Sequence, residues 1–186
     1  METDARPERA AAPTPFRGRT AVPDLSAAAA KIAPKTIALV AHDNRKKDLA
    51  EWVAYNYGTL ADHHIVCTGT TGKLIEETLA RRALEEAGPE PRPIMKLRSG
   101  PLGGDQQLGA MIAENRIDVL IFFWDPMEPQ PHDVDVKALL RIAVVYNVPI
   151  ACNRSTADFV VSSPLLGRPY QPIVKDYSGY LKRELD

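Results

Sequence analysis

The chain has 186 residues, room for one domain plus a tail at roughly 100–200 residues per domain. Hydrophobic residues make up 45% and charged residues 25%, enough apolar surface for a real core, which excludes a wholly disordered chain. Twenty-three Lys and Arg stand against 24 Asp and Glu, a net charge of -1; that balance argues against a general nucleic-acid binder and leaves open a small anionic substrate held by local fields.

Residues 1–34 are rich in Ala, Pro and Arg and lack apolar periodicity, so they are expected to form a disordered tail, with at most a short helix around Ser26 to Lys31. Acidic residues interrupt that stretch, which opposes a signal peptide. Residues 35–186 change character and are expected to form the domain. Ile37 to Ala41 predicts a buried strand, Asp48 to Tyr57 a helix with Leu49, Trp52, Val53 and Tyr57 inward, and His64 to Thr68 a second strand. Gly72 to Leu84 predicts a helix with Leu74, Ile75, Leu79 and Leu84 as its apolar positions. A Pro-rich connector, Glu85 to Pro93, leads to a weak strand at Ile94 to Leu97. Gly104 to Ala113 predicts a helix, Asp118 to Phe123 the strongest strand, Asp135 to Tyr146 a helix and Pro149 to Cys152 a strand. Ser155 to Val161 follows as a short helix with Ser155 as N-cap. Ile173-Val174 is expected as an edge strand and Tyr177 to Leu185 as a final helix.

Alternating strands and helices predict an α/β layered fold with a mostly parallel, buried sheet. Cys67 and Cys152 each end an apolar run and are expected as buried free thiols in a reducing, cytoplasmic setting. The longest apolar run, Val119 to Trp124, falls far short of the ~20 residues of a membrane-spanning helix, so no membrane partner is expected.

In such folds ligands bind beyond the carboxyl ends of the strands, and polar segments follow each strand here. His42-Asp43-Asn44-Arg45-Lys46-Lys47 follows the first, Thr68-Gly69-Thr70-Thr71-Gly72 the second, and Arg98 to Asp105 the third. Asp125-Pro126 and His132-Asp133-Val134-Asp135 follow the fourth. Thr68 to Gly72 is the best phosphate candidate. Its glycines admit close approach, and its hydroxyls and the next helix start supply donors; a turn with a helix cap is the plainer reading. It is not a nucleotide P-loop, because the glycine spacing is wrong and Leu74 replaces the magnesium-binding hydroxyl. Asp105 would serve merely as a helix cap, except that three glycines and a proline shape the approach to it. His42 and His132 each adjoin an aspartate, which can fix a tautomer. Lys46 lies one helical turn from His42 and can face the same anion. His63, His64 and the cations Arg45, Lys73, Arg81, Arg82 and Arg116 are expected to be structural or solvated. Anion donors, a carboxylate and a histidine together suit proton abstraction beside a carbonyl on a phosphorylated metabolite. The residues alone go no further.

At these loops the chain closely resembles the methylglyoxal synthase family. The matching text includes Ile37 to Asp43, Thr68 to Gly72, Ser99-Gly-Pro-Leu-Gly-Gly-Asp-Gln-Gln-Leu-Gly109, Ile117 to Pro126 with its Phe-Phe-Trp-Asp-Pro, Pro131-His-Asp133, Asp135 to Arg141 and Thr156-Ala-Asp-Phe159. The resemblance covers about Lys35 to Tyr180. It implies a Rossmann-like three-layer sandwich with a five-stranded sheet, a homohexamer, and no cofactor or metal. It implies conversion of dihydroxyacetone phosphate to methylglyoxal, with inorganic phosphate as product and inhibitor. On it, Asp105 matches the catalytic base and His132 the histidine that contacts substrate oxygens. His42, Lys46, Thr68, Gly69, Thr70, Thr71, Ser99 and Gly100 match substrate-binding positions, and Asp43, Asp125 and Asp135 supporting acids. Arg141 matches the family pattern and is a candidate for a subunit interface. By the macrodipole argument Asp105, near a helix start, should be held in its charged form.

Three features depart from the family pattern: the long N-terminal tail, an insertion at Glu85–Arg92, and a C-terminus that lacks the family's basic end. Related domains in carbamoyl-phosphate synthase and the purine-biosynthesis cyclohydrolase share the fold without the full set of loops. A regulatory binding module is therefore the second reading, and a sugar-phosphate isomerase the third.

Overall fold

The computed structural model describes residues 33–129, 131–177 and 179. Most of the expected tail and of the expected C-terminal helix lie outside these residues.

Five strands form one all-parallel sheet: β1 (Thr36–Ala41), β2 (His64–Thr68), β3 (Met95–Leu97), β4 (Val119–Phe123) and β5 (Ile150–Ala151). Their spatial order is β3-β2-β1-β4-β5. The chain begins in the middle, runs out to one edge through β2 and β3, then crosses back to β4 on the other side of β1. That reversal opens a crevice at the carboxyl ends of β1 and β4.

The central strands β1 and β4 are buried on both faces, which is why they read as unbroken apolar runs, whereas the edge strand β3 stays exposed. Side chains alternate between faces with period two. Ile37, Leu39, Ala41, Val119, Ile121 and Phe123 pack into one cluster with Leu49, Trp52, Ile75 and Leu79. Those residues come from α1 (Lys46–Tyr55) and α3 (Gly69–Glu86); α2 (Tyr57–Leu60) and α6 (Arg154–Val161) complete this layer. Ala38, Val40, Leu120 and Phe122 pack on the other face against Leu108, Ile112, Val136 and Leu139, from α4 (Gly104–Ala113) and α5 (Asp133–Val145). Each fully buried large side chain contributes ~1.5–3 kcal/mol.

Several expectations shift. Helix α3 begins at Gly69, three residues early, so the glycine- and threonine-rich turn is itself the first helical turn. Its Leu84 is exposed, beyond the reach of the sheet. The cap of α6 is Asn153, whose Oδ1 accepts from Thr156 N–H at 2.9 Å, and not Ser155. Ile173-Val174 forms no strand; the Ile173 carbonyl accepts from Asn147 Nδ2 at 3.1 Å instead. Cys67 is buried, whereas Cys152 is only half-buried because β5 ends before it. Arg82 is clamped rather than solvated, donating to the Ala54 carbonyl and to Glu85 and Glu86. His63 is structural as expected, its Nδ1 accepting from Lys35 N–H. The inserted connector is docked, not loose: the buried Tyr57 hydroxyl donates to the Pro89 carbonyl.

Candidate active site

The polar segments after β1, β2 and β3 and the start of α5 border one cavity of about 410 Å³. It is lined by His42, Asp43, Lys46, Thr68, Gly69, Thr70, Thr71, Ser99, Gly100, Asp105 and His132, which are the expected catalytic and substrate-binding positions together with one supporting acid. A larger cavity of about 670 Å³ opens at the amino ends of β1 and β4, beside Lys35 and Val119, far from these loops along the strands. It carries none of the expected groups.

The phosphate candidate is the amino end of α3. Its N-cap Thr68 makes no side-chain capping bond, and no acidic residue stands in its first turn. The Arg98 carbonyl takes Gly69 N–H at 3.1 Å, and no side chain caps the start of this 18-residue helix, whose first turn borders the cavity. Thr68 and Thr71 are buried. Lys46 reaches across from α1, its Nζ 2.5 Å from both Thr70 Oγ1 and Asp43 Oδ1. The hydrogen bond from Lys46 holds the Asp43 carboxyl below its ordinary value.

The β3–α4 loop closes against that turn. Gly69 has φ +37°, and a Cβ there would lie 2.8 Å from the Cα of Ser99. Only glycine permits that contact without a shift of Ser99. At Gly100 a Cβ would lie 2.9 Å from His132 Nε2 and 3.1 Å from Asp105 Oδ2. Gly100 is therefore the floor between His132 and Asp105.

Asp105 sits in the first turn of α4 and is 4% exposed. Its Oδ2 lies 3.7 Å from His132 Nε2, too far for a hydrogen bond. That oxygen, His42 Nε2 and His132 Nδ1 are all buried without a partner. A buried polar atom without a hydrogen bond costs ~1–3 kcal/mol, and the three residues that carry these atoms all line the cavity, where a polar ligand would supply partners. At Asp105 the helix start is not the dominant influence on proton affinity. Burial is the largest influence and pushes its carboxyl up from 3.8; neighbouring His132 opposes this, and Asp135 adds to it.

His42 has a defined orientation. Its Nδ1 accepts from the Asp125 backbone N–H at 3.3 Å, and its ring rests edge-on to Phe122 with centroids 5.1 Å apart. A neutral imidazole accepting at Nδ1 carries its proton on Nε2, the atom left unpartnered. The His42 and His132 rings meet edge-on, with centroids 6.1 Å apart. Asp125 and Asp135 do not line the cavity. Asp125 stands behind His42, where the Met127 amide and Asn44 hold its carboxyl low. Phe122 is a site residue that sequence reasoning absorbed into the core, because it belongs to the most apolar strand. Among the described residues no group of three or more His, Cys, Asp or Glu side chains is arranged to hold a metal ion, and no helix is long and apolar enough to cross a membrane.

A family model described as an MGS-like domain matches residues 49–152. The chain is 58% identical over 153 residues to methylglyoxal synthase of Maridesulfovibrio salexigens, covering 81% of this chain and 98% of that protein. It is 53% identical to methylglyoxal synthase of Cellvibrio japonicus, over 81% of this chain and 91% of the other. The crystal structure of methylglyoxal synthase from Elizabethkingia anophelis superposes with a TM-score of 0.71 at 54% identity, covering 82% of this chain and 93% of that one.

Proposed function

The chain belongs to the methylglyoxal synthase family, and on that premise we propose how its cavity works on dihydroxyacetone phosphate to give methylglyoxal and inorganic phosphate. The observation that carries the assignment of roles is that Asp105, His132 and His42, each with a buried polar atom that lacks a hydrogen-bond partner, line one cavity together with a helix start that no side chain caps.

The substrate phosphate docks on the first turn of α3 and the Ser99-Gly100 segment, with Lys46 as its counter-charge. Asp105 takes a proton from the hydroxymethyl carbon. The electron pair moves onto the carbonyl oxygen, and hydrogen bonds from His132 and His42 stabilise the enediolate. The bond between the far carbon and its phosphate oxygen then breaks, and the pair leaves with phosphate. The remaining enol takes up a proton at carbon and becomes methylglyoxal. Elimination needs that breaking bond roughly perpendicular to the enediolate plane, so the phosphate turn chooses the reaction as well as binding the substrate. Asp43 holds Lys46, and Asp125 holds His42 through its backbone. Asp135 stands near enough to influence the Asp105 carboxyl.

Residues 35–186 serve as the catalytic domain in this reading, working in the cytoplasm without a cofactor. Exposed Leu102, Met127 and, in the first turn of α5, Val134 are apolar groups that assembly into a homohexamer would cover. Inorganic phosphate inhibits by occupying the donors that hold the substrate ester. The test is to supply the protein with dihydroxyacetone phosphate and follow dicarbonyl and inorganic phosphate together. Equal release supports the reading; triose phosphate interconversion, or binding without conversion, defeats it.

A further inference from the structure

The second glutamine of the Gly-Gly-Asp-Gln-Gln segment has no part in the chemistry above, yet its side chain is committed. Gln107 Oε1 accepts from the Arg98 backbone N–H at 2.8 Å. Arg98 lies one residue past the last register pair of β2 and β3, Thr68 with Leu97. Its carbonyl accepts from Gly69 N–H, the first residue of the phosphate turn, at 3.1 Å. A Cβ on Gly104 would clash directly with that same carbonyl oxygen, so the start of α4 presses against it. One residue is thus gripped at its N–H by α4, at its C=O by α3, and from the side by Gly104.

Asp105 rides two residues before Gln107 on the same rigid helix. Beside the packing of Leu108 and Ile112 on the sheet, which holds the body of α4, two hydrogen bonds tie the phosphate turn to the helix that carries the base, Gly69 to Arg98 and Arg98 to Gln107. Asp105 itself makes no bond that would fix α4 against the turn, since its Oδ2 has no partner. The loop's other ties, Leu102 N–H and Gly104 N–H to the Ser99 carbonyl, are internal to it.

We propose that Gln107 is a positioning residue: its side-chain carbonyl, acting through Arg98, sets the distance from the phosphate turn to Asp105 and so governs how often an enediolate, once formed, loses phosphate rather than taking its proton back. This rests on the reaction proposed above. With the link intact, the phosphate is held for elimination while the carboxylate is at the hydroxymethyl carbon. With it loosened, the carboxylate still reaches the carbon, but the leaving bond samples orientations near the enediolate plane, where elimination is stereoelectronically disfavoured.

The test uses the full chain and three proteins: wild type, Gln107→Met, which keeps the length but loses the acceptor, and Gln107→Glu, which keeps an acceptor oxygen. In D2O, deuterium at the hydroxymethyl carbon of recovered dihydroxyacetone phosphate is compared with phosphate released. The Met variant is expected to lose ~10–100-fold in kcat, in line with a sub-ångström to ångström misplacement. Its deuterium incorporation per phosphate should rise by about tenfold, and the Glu variant should recover both. Unchanged kcat and ratio in Gln107→Met overturn the proposal. So does a lowered melting temperature with an unchanged ratio, or equal impairment of the Met and Glu variants. If wild type releases no dicarbonyl and phosphate, the underlying reaction is wrong, a result distinct from a wild type that turns over beside an unaffected variant.

Discussion

Gly100→Ala separates the chemistry of the site from the stability of the fold. The added Cβ would lie 2.9 Å from His132 Nε2 and 3.1 Å from Asp105 Oδ2. A carbon normally sits ~3.5 Å from such neighbours, so the imidazole, the carboxylate or both must retreat by roughly half an ångström. A misplacement of 1 Å costs on the order of 10²-fold in rate, so half of that predicts a loss of about 10- to 100-fold in kcat/KM. The backbone is indifferent to the change, because Gly100 is absent from the positive-φ glycines, which are Gly69 and Gly103. Ala also restricts the unfolded chain, worth ~0.4–1 kcal/mol in favour of folding. The expected result is a melting temperature unchanged or slightly raised and a phosphate-release rate cut by one to two orders of magnitude. Gly104→Ala is the contrast. Its Cβ would collide with the fixed Arg98 carbonyl rather than with side chains, so overpacking of ~1–3 kcal/mol should appear in the denaturation midpoint. Wild-type kcat/KM in folded Gly100→Ala would refute the claim that His132 and Asp105 must close on the substrate across that glycine.

Asp105→Asn should lose turnover while becoming more stable. Folding raises the proton affinity of this carboxyl above its ordinary 3.8; between the unfolded and folded values the native state binds more protons, so stability falls as pH rises through that interval. An amide escapes that cost, and thermal melts at neutral pH should show a higher midpoint than wild type. The same raised value places the acid limb of the kcat/KM profile above the ordinary carboxylate range, since the base must be ionised to act; a limb at or below 3.8 would contradict it. Lys46→Met removes the cation bonded to Thr70 and Asp43. Hydrogen bonds to charged groups are worth ~1.5–3 kcal/mol, so KM should rise by about 10- to 100-fold, with a smaller change in kcat. In native protein an alkylating reagent should label half-buried Cys152 and spare Cys67, whose thiol burial pushes up to about 12; mass spectrometry of peptides reads this directly.

The sheet and its helices were legible because the central strands are buried on both faces and each connection is helical, whereas exposed β3, with Lys96 in it, reads only as a weak strand. Strand His64–Thr68 and helix Gly104–Ala113 have the bounds that their apolar runs and flanking residues predict. The gathering of His42, Thr68, Ser99 and Asp105 was legible for a related reason: in a parallel sheet every segment after a strand arrives at the same edge. What was not legible depends on contacts between distant segments. Gly-Thr-Thr-Gly has the composition of a turn, but Gly72 is pressed on by Lys96 and Cys67 from two strands, and the helix forms three residues early. Ile173-Val174 is apolar enough for a strand, but β5 has only two residues, and Asn147 takes the carbonyl that pairing would have needed. Ser155 is a good cap by type, yet Asn153 reaches Thr156 N–H first. Gln107 is invisible to periodicity, since an exposed glutamine on a helix ordinarily has no fixed partner.

The balance of influences at Asp105 bears on how the site works. Two helices start at the same edge of the sheet, and each start favours negative charge. At α3 that preference has no carboxylate in the first turn and no side-chain cap to satisfy it, so the dipole is available to an anion from outside. At α4 the first turn carries its own acid, but the loop and His132 enclose it until only 4% of it meets solvent. Desolvation acts on the whole charge, whereas a helix end supplies about half a charge and ~0.3–1 kcal/mol at exposed sites, so enclosure wins and the carboxylate becomes a stronger base. The arrangement follows from that inequality. The helix start left without an acid is suited to hold the substrate's charge, and the one given a buried acid is suited to take its proton. A carboxylate exposed at the amino end of α4 would have kept an ordinary, weakly basic value and been a poorer match for a carbon acid.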